Sequence, residues 1–355
     1  MDIRRDYFLL WLMLVYLTII VVSLGAHFAL FVSRRCYMPR RRKKEKRWMN
    51  FLKENGRDAI LSEHQIRMLR NDIELAAWSD ALFQYKEEGG DYCLFIKRNA
   101  EQLSRLGILI KREVIRAYYA YIITRINADG KIQSKELKAL MKVYLQDGHS
   151  VYLRENALKA IYSFREPAGI VQAWLILSKR GLYHDSKLLG NDLTDFPGDI
   201  RLLTTLLMSR YSDLEENFKI ALINTLRQHK IVTFNKRLEL ELYKKSVSID
   251  IKCCVIRLLG VDAGNYVQVL TEMLATYMNH EDWEPAAVAA IALKSAPSQQ
   301  GRQYLFEALT SRYWHVRKNV ALTLAHYGVT EEEKNSVMNG SDRYAADALS
   351  WALSQ

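Results

Sequence analysis

Twenty-seven consecutive residues, Tyr7 through Ser33, carry no formal charge, and Asp6 and Arg34 close the run at its two ends. A helix rises about 1.5 Å per residue, so the stretch reaches roughly 40 Å, beyond the roughly 30 Å hydrocarbon core of a bilayer. The excess permits tilt, and Tyr7 and Trp11 suit the interface at the N-terminal end. A cleaved signal sequence has a shorter apolar region, about 7–15 residues, ending in a small-x-small site. The nearest such site here follows Ala29 and has His27 at the minus-three position. A buried core helix is usually apolar along one stripe rather than all round. The run therefore reads as a transmembrane helix over residues 7–33, preceded by a short segment, 1–6.

Orientation follows from the flanks. Arg4 and Arg5 precede the span and are offset by Asp2 and Asp6, whereas Arg34, Arg35, Arg40, Arg41, Arg42, Lys43, Lys44, Lys46 and Arg47 follow it. Lys and Arg close to a span favour the cytoplasmic side, so the expectation is an N-terminus outside and a cytoplasmic body. The same cations attract anionic lipid at about 1 kcal/mol each near the surface. Residues 34–56 are expected to form a polybasic juxtamembrane linker. Eleven of the 51 basic and three of the 40 acidic residues lie in 1–47, leaving 40 against 37 in the remainder. A body with net charge of only +3 argues against nucleic acid as the partner, since that class needs a basic stripe. Cys36, Cys93, Cys253 and Cys254 contain no C-x-x-C spacing, which suggests neither a disulfide framework nor a zinc site. Cys36 is juxtamembrane, a position open to palmitoylation, although a free thiol is the simpler reading.

From about residue 57 onward the apolar spacing is helical, and only Ile231–Thr233 forms a β-branched cluster. Gly and Pro fall between helical segments, at Gly89–Gly90, Gly107, Gly130, Pro197–Gly198, Gly260, Pro297 and Gly328. The expected fold is all-α. Within it one pattern recurs: an apolar–basic dipeptide followed by small and aliphatic residues at helical spacing. It opens at Leu153–Arg154, Phe218–Lys219, Ile251–Lys252 and Val316–Arg317, with related starts at Pro285 and Ala345. The gaps between these positions, from 154 to 345, are 65, 33, 33, 32 and 28. A period near 32 with two helices per unit is the signature of an α-solenoid.

These residues resemble the HEAT-repeat family, an armadillo-like helical class whose second helix carries a V-R-x-x-A-like signature. The resemblance covers roughly 149–355 and implies a ladder in which an Asp six residues before the basic position pairs between neighbouring repeats. Asp213 and Lys219 match that spacing, while Ser246 and Ser311 stand at the corresponding positions before Lys252 and Arg317. Arg154 completes the expected structural ladder. The layout as a whole resembles bacterial single-pass inner-membrane proteins with a cytoplasmic HEAT domain. Residues 57–148 lack the signature; helices near 62–87, 91–106, 108–126 and 134–146 are expected to cap the repeats. Segment 181–198 interrupts the array, as a short helix or a loop.

Catalytic motifs are scarce. RINADGKIQSKE (125–136) has Asn127, Asp129, Gly130 and Glu136 at EF-hand-like spacing, but Arg125 stands where the first anionic ligand is needed. It reads instead as a helix–turn–helix connection with Ser134 as N-cap. His280-Glu281 lacks the second His of a zinc-protease motif, and His315 and His326 stand three turns apart. No metal, cofactor or catalytic residue is assigned. Among the aromatics, Trp283, Tyr313 and Trp314 fall at inter-helix turns and are the candidate partner contacts. The leading expectation is a non-enzymatic, membrane-anchored protein–protein interaction scaffold, with an inner-membrane enzyme of envelope or polysaccharide synthesis as a partner. An enzyme resembling the HEAT-like lyases needs a polar pocket with convergent titratable groups. A nucleic-acid-binding solenoid needs a clustered basic stripe.

Overall fold

The computed structural model describes residues 3–148 and 150–355, and the side chains of these except for 3–10, 29–37 and 57. Every regular element among the described residues is helical. The chain divides into two compact units, Met1–Phe164 and Arg165–Gln355.

The first unit begins with α1, a single helix from Ile3 to Asn55. Its stretch Trp11–Phe28 has a mean hydropathy of 2.0 and is nowhere buried. One N-terminal helix is thus long and apolar enough to cross a membrane. Residues 34–56, expected as a linker, instead continue the same helix to Asn55, despite Pro39 within it. The reason lies in its last turns, where Trp48, Met49 and Leu52 are buried and α1 packs against α3, Asp72–Glu87. Between them lies α2, Glu63–Leu69. The expected helix over 62–87 is divided at Asn71, whose side chain accepts from the Ile73 and Glu74 amides and so starts a new helix. Ser62 and Gln65 form a reciprocal capping box on α2.

The remaining helices of this unit are α4 (Tyr92–Arg98), α5 (Ala100–Leu109), α6 (Glu113–Ile126), α7 (Lys135–Asp147) and α8 (Val151–Ser163). Although 57–148 lacks the repeat signature, α5 packs on α7 and α6 on α8, each helix on the next but one. Helix α8, which carries Arg154 and opens the region expected to repeat, belongs to this unit and not to the one beginning at Arg165. Long side chains tie the pairs together. Asn127 Nδ2 donates to the Ser163 carbonyl at 3.0 Å, and the Tyr144 hydroxyl donates to the Gly107 carbonyl at 2.8 Å. Asn99, fully buried, donates to the Ala59 and Phe95 carbonyls and accepts from the Leu61 amide.

The second unit runs through α9 (Pro167–Lys179), α10 (Ser186–Thr194), α11 (Ile200–Ser209), α12 (Glu216–Gln228), α13 (Asn235–Glu239) and α14 (Ile249–Leu259). It continues through α15 (Ala263–Tyr277), α16 (Glu284–Leu293), α17 (Gln299–Ala308), α18 (Trp314–Tyr327), α19 (Glu331–Met338) and α20 (Arg343–Leu353). Contacts follow one rule: α10, α12, α14, α16, α18 and α20 pack successively, each on the next even-numbered helix. In addition α9 meets α11, and α15 meets both α16 and α17. Segment 181–198 contains a short helix, α10, started by the Asp185 side chain, and it packs on α12 as the regular series requires. Residues Ile249–Tyr277 are also apolar, with a mean hydropathy of 1.2. They are two helices joined by a turn and packed among α12, α16 and α17, hence part of the core. Trp174 and Phe218 meet edge-to-face at 5.2 Å within that core. Between α16 and α18, Asn319 and Thr323 donate to the Ala287 and Ala290 carbonyls at 2.9 and 2.8 Å.

Candidate functional site

The basic run after the apolar segment divides by helix face. Arg41 donates through Nε to Asp80 at 2.7 Å. Lys44 and Arg47 both pair with Glu74, and Trp48 Nε1 donates to the same carboxylate at 3.1 Å. Glu74 is only 2 % exposed, so its charge depends on these donors. Arg40, Arg42, Lys43 and Lys46 remain exposed. The side chains of Arg34, Arg35 and Cys36 lie outside the described residues.

The expected repeat ladder takes another form. Asp213 pairs with Arg210, three residues away in the same turn, at 2.7 Å. Lys219 lies over the Tyr211 ring at 5.4 Å. The nearer cation holds the carboxylate, so Asp213 is engaged within its own turn and not between neighbouring repeats as the resemblance implies. Lys252 is buried and donates to the Tyr277 hydroxyl at 3.0 Å. Arg317 donates to the Ser311 carbonyl and lies 5.3 Å from the Tyr344 ring. Arg154 is also buried. Aromatic rings and carbonyls thus receive the cations of α12, α14 and α18.

The three aromatic candidates fall together at the turns before α16 and α18. Trp283 stacks on His315 at 4.9 Å and on Tyr313 at 5.8 Å, and the Arg312 guanidinium lies 4.8 Å from the Tyr313 ring. Trp283 and Tyr313 are half-buried by these contacts, and Trp314 is 48 % exposed.

A groove absent from the sequence reading crosses α12, α14, α16 and α18. Its volume is about 450 Å³, and Arg227, Arg257, Gly260, Val261, Val288, Ile291, Ala292, Ser295 and Asn319 line it. The floor depends on Gly260: a Cβ there would lie 2.9 Å from the Ala292 Cβ. Val261 and Ile291 are exposed apolar walls. Arg227 Nε is buried without a hydrogen-bond partner, and no carboxylate lines the groove. A neighbouring groove of about 510 Å³ differs. It holds Lys219, Arg237 and Lys244 together with Glu216 and Glu241; there Lys244 pairs with Glu241 and Arg237 donates to the Met208 carbonyl. Recurrence in sequence points to neither groove, because each collects residues from several helices.

The EF-hand-like segment is a structural turn. Ser134 caps α7 by accepting from the Leu137 amide, and Glu136 accepts from the Ser134 hydroxyl at 2.7 Å. Asn127 Oδ1 accepts from the Ile132 amide, while Asp129 accepts from the Tyr92 hydroxyl and lies 3.5 Å from Lys131. His280 Nδ1 accepts from the Asp282 amide at 3.1 Å. No group of three or more His, Cys, Asp or Glu able to hold a metal occurs among the described residues. Burial pushes the Cys253 thiol up to about 12, away from the thiolate that nucleophilic chemistry needs. No protein-family model matches the chain, and no curated protein matches it in sequence.

Proposed function

We propose that this chain is a membrane-tethered, HEAT-like α-solenoid scaffold, and that its groove across α12–α18 receives an acidic, partly aliphatic segment of a protein partner. The groove carries this reading: two arginines, one with a buried unpartnered nitrogen, border an apolar floor that holds no carboxylate. A guanidinium removed from water gains most from a carboxylate, whose two oxygens match its planar donors. Successive packing of the even-numbered helices supports the repeat reading, since stacked repeats build long recognition surfaces. The exposed apolar part of α1 supports the tether. Its basic flank supports a cytoplasmic body, and tethering raises the effective concentration toward a membrane-bound partner. An inner-membrane enzyme of envelope or polysaccharide synthesis is the partner class suggested by the resemblance in layout.

The test is co-purification of the full chain from its native membranes in mild detergent, beside the Arg227→Gln/Arg257→Gln variant. A soluble comparison begins at residue 38, so that Arg41, Lys44 and Arg47 keep Asp80 and Glu74. The expected result is one identified protein recovered with the full chain, weakened at least about tenfold by the double variant. Equal recovery with the double variant rejects the groove as the binding surface.

A further inference from the structure

The first unit has an edge whose composition and position suit a bilayer surface. Three helices bring their N-terminal ends to it in register. Arg112, just before α6, lies 3.9 Å from Asp72 in α3, and Glu113 accepts from the Ser150 amide before α8 at 2.9 Å. Their opposite ends also align: Lys86 and Tyr92 reach Asp129, and Asn127 reaches Ser163. Along this edge a groove of about 410 Å³ is lined by Arg67, Arg70, Lys111 and Arg112, with no carboxylate in its lining. All four cations are exposed. Exposed apolar side chains lie close by in sequence or on the adjoining α8 end: Ile108 at 62 %, Val114 at 74 % and Tyr152 at 78 % exposure. Cations interspersed with exposed aliphatic and aromatic groups match a headgroup layer, where charge meets phosphate and apolar side chains enter the acyl boundary.

Helix α1 joins this unit directly to the apolar stretch. Glu74, in the first turn of α3, pairs with Lys44 and Arg47, whereas Glu88, just beyond its last turn, pairs with Lys53 at 2.8 Å. Arg41, the engaged cation nearest in sequence to the apolar part of α1, meets Asp80 in the middle of α3, so α1 contacts α3 along much of its length. Residue 45 lies twelve positions beyond Ser33, roughly 18 Å along the helix at 1.5 Å per residue. Headgroups occupy roughly 5–8 Å of that distance, and Arg and Lys side chains and helix tilt span much of the rest.

We infer that the edge formed by Arg67, Arg70, Lys111 and Arg112 with Val114 and Tyr152 docks on an anionic lipid surface, the leaflet that α1 enters. The inference rests on the reading of α1 as a membrane anchor. Docking gives the unit a fixed attitude at the bilayer, which a single spanning helix does not by itself impose.

The full chain is reconstituted into nanodiscs of phosphatidylcholine alone or with about 30 % phosphatidylglycerol, and amide hydrogen exchange is followed by mass spectrometry. With the anionic lipid, exchange over 108–116 and 150–154 is expected to slow at least about fivefold, the factor one cation contributes near such a surface. About 0.5 M salt reverses the effect, as does the variant with Arg67, Arg70, Lys111 and Arg112 all changed to Gln. Exchange over 216–228 serves as the internal reference. Equal exchange in the two lipid compositions, with the chain inserted in both, overturns the docking surface and leaves the anchor standing. Failure of the chain to enter nanodiscs overturns the anchor and the docking surface together.

Discussion

Lys44 and Arg47 in the first unit reach a carboxylate that is 2 % exposed, whereas Arg227 and Arg257 in the second line a groove without an acid. Both pairs sit on helices, the first three residues apart within a basic run and the second on two separate helices. The first pair shares the buried Glu74 carboxylate while the two cations stay partly exposed, and it ties α1 to α3. The second retains unsatisfied capacity, and Arg227 does so with a nitrogen shielded from water. Charges closed within the fold contribute stability, while charges left open at a shaped surface contribute recognition. The same division runs through the basic segment, where Arg41, Lys44 and Arg47 are engaged and Arg40, Arg42, Lys43 and Lys46 are exposed.

The largest effect is expected from Glu74→Ala. It orphans Trp48 Nε1 and leaves Lys44 and Arg47 without their carboxylate, costing about 3 kcal/mol in chemical denaturation of the detergent-solubilised chain. A cost below about 0.5 kcal/mol would mean that solvent screens the cluster and that α1 is held by Trp48, Met49 and Leu52 alone.

Arg302→Gln comes next and has a pH signature. Hydrogen bonds from Arg302 hold the Glu333 carboxyl down to about 2 from an ordinary 4.5. A depressed carboxylate adds stability that is complete above its unfolded value and disappears as pH falls through the folded one. The variant should therefore lose about 1 kcal/mol at neutral pH and converge with the parent between pH 4.5 and 2. NMR titration of Glu333 gives the direct check, with its midpoint rising toward the ordinary value in the variant.

Trp283→Ala removes stacking on His315 and Tyr313 and is expected to cost somewhat under 1 kcal/mol in thermal unfolding, roughly the worth of a partly exposed aromatic contact. A much larger cost would make the aromatic cluster a part of the core rather than a contact surface.

Smallest of all is Arg227→Gln with Arg257→Gln, which should shift stability by no more than about 0.5 kcal/mol in either direction. Calorimetry distinguishes this from Glu74→Ala. A loss approaching that of Glu74→Ala would reveal an internal role for the two arginines and erase the contrast between the regions.

Much of the architecture was legible. Ser62, Asp91, Ser134, Asp199, Ser248, Ser298 and Asp342 accept from the first-turn amides of their helices, and capping is a local event that residue type announces. Pro167 and Pro285 open helices in the same manner. The α5–α7 and α6–α8 contacts were not legible, because packing needs apolar faces of the right shape but no particular signature. The inter-repeat pairing implied for Asp213 is replaced for a related reason: the nearer Arg210 takes the carboxylate. The aromatic contacts were placed at turns by sequence, yet their stacking depends on rings thirty residues apart, Trp283 and Tyr313.

The sequence by itself determined the uncharged run of α1, the helical character of the body and most helix starts, because these depend on hydropathy and on groups within one helical turn. Only the tertiary structure decided which cations are closed by carboxylates and which remain open. Glu74 meets Lys44 across thirty residues, and the groove draws on Arg227, Arg257 and Asn319 from three helices. Electrostatic pairing falls off over a few ångströms and depends on burial, so charge order along the chain leaves it undetermined until the helices have docked.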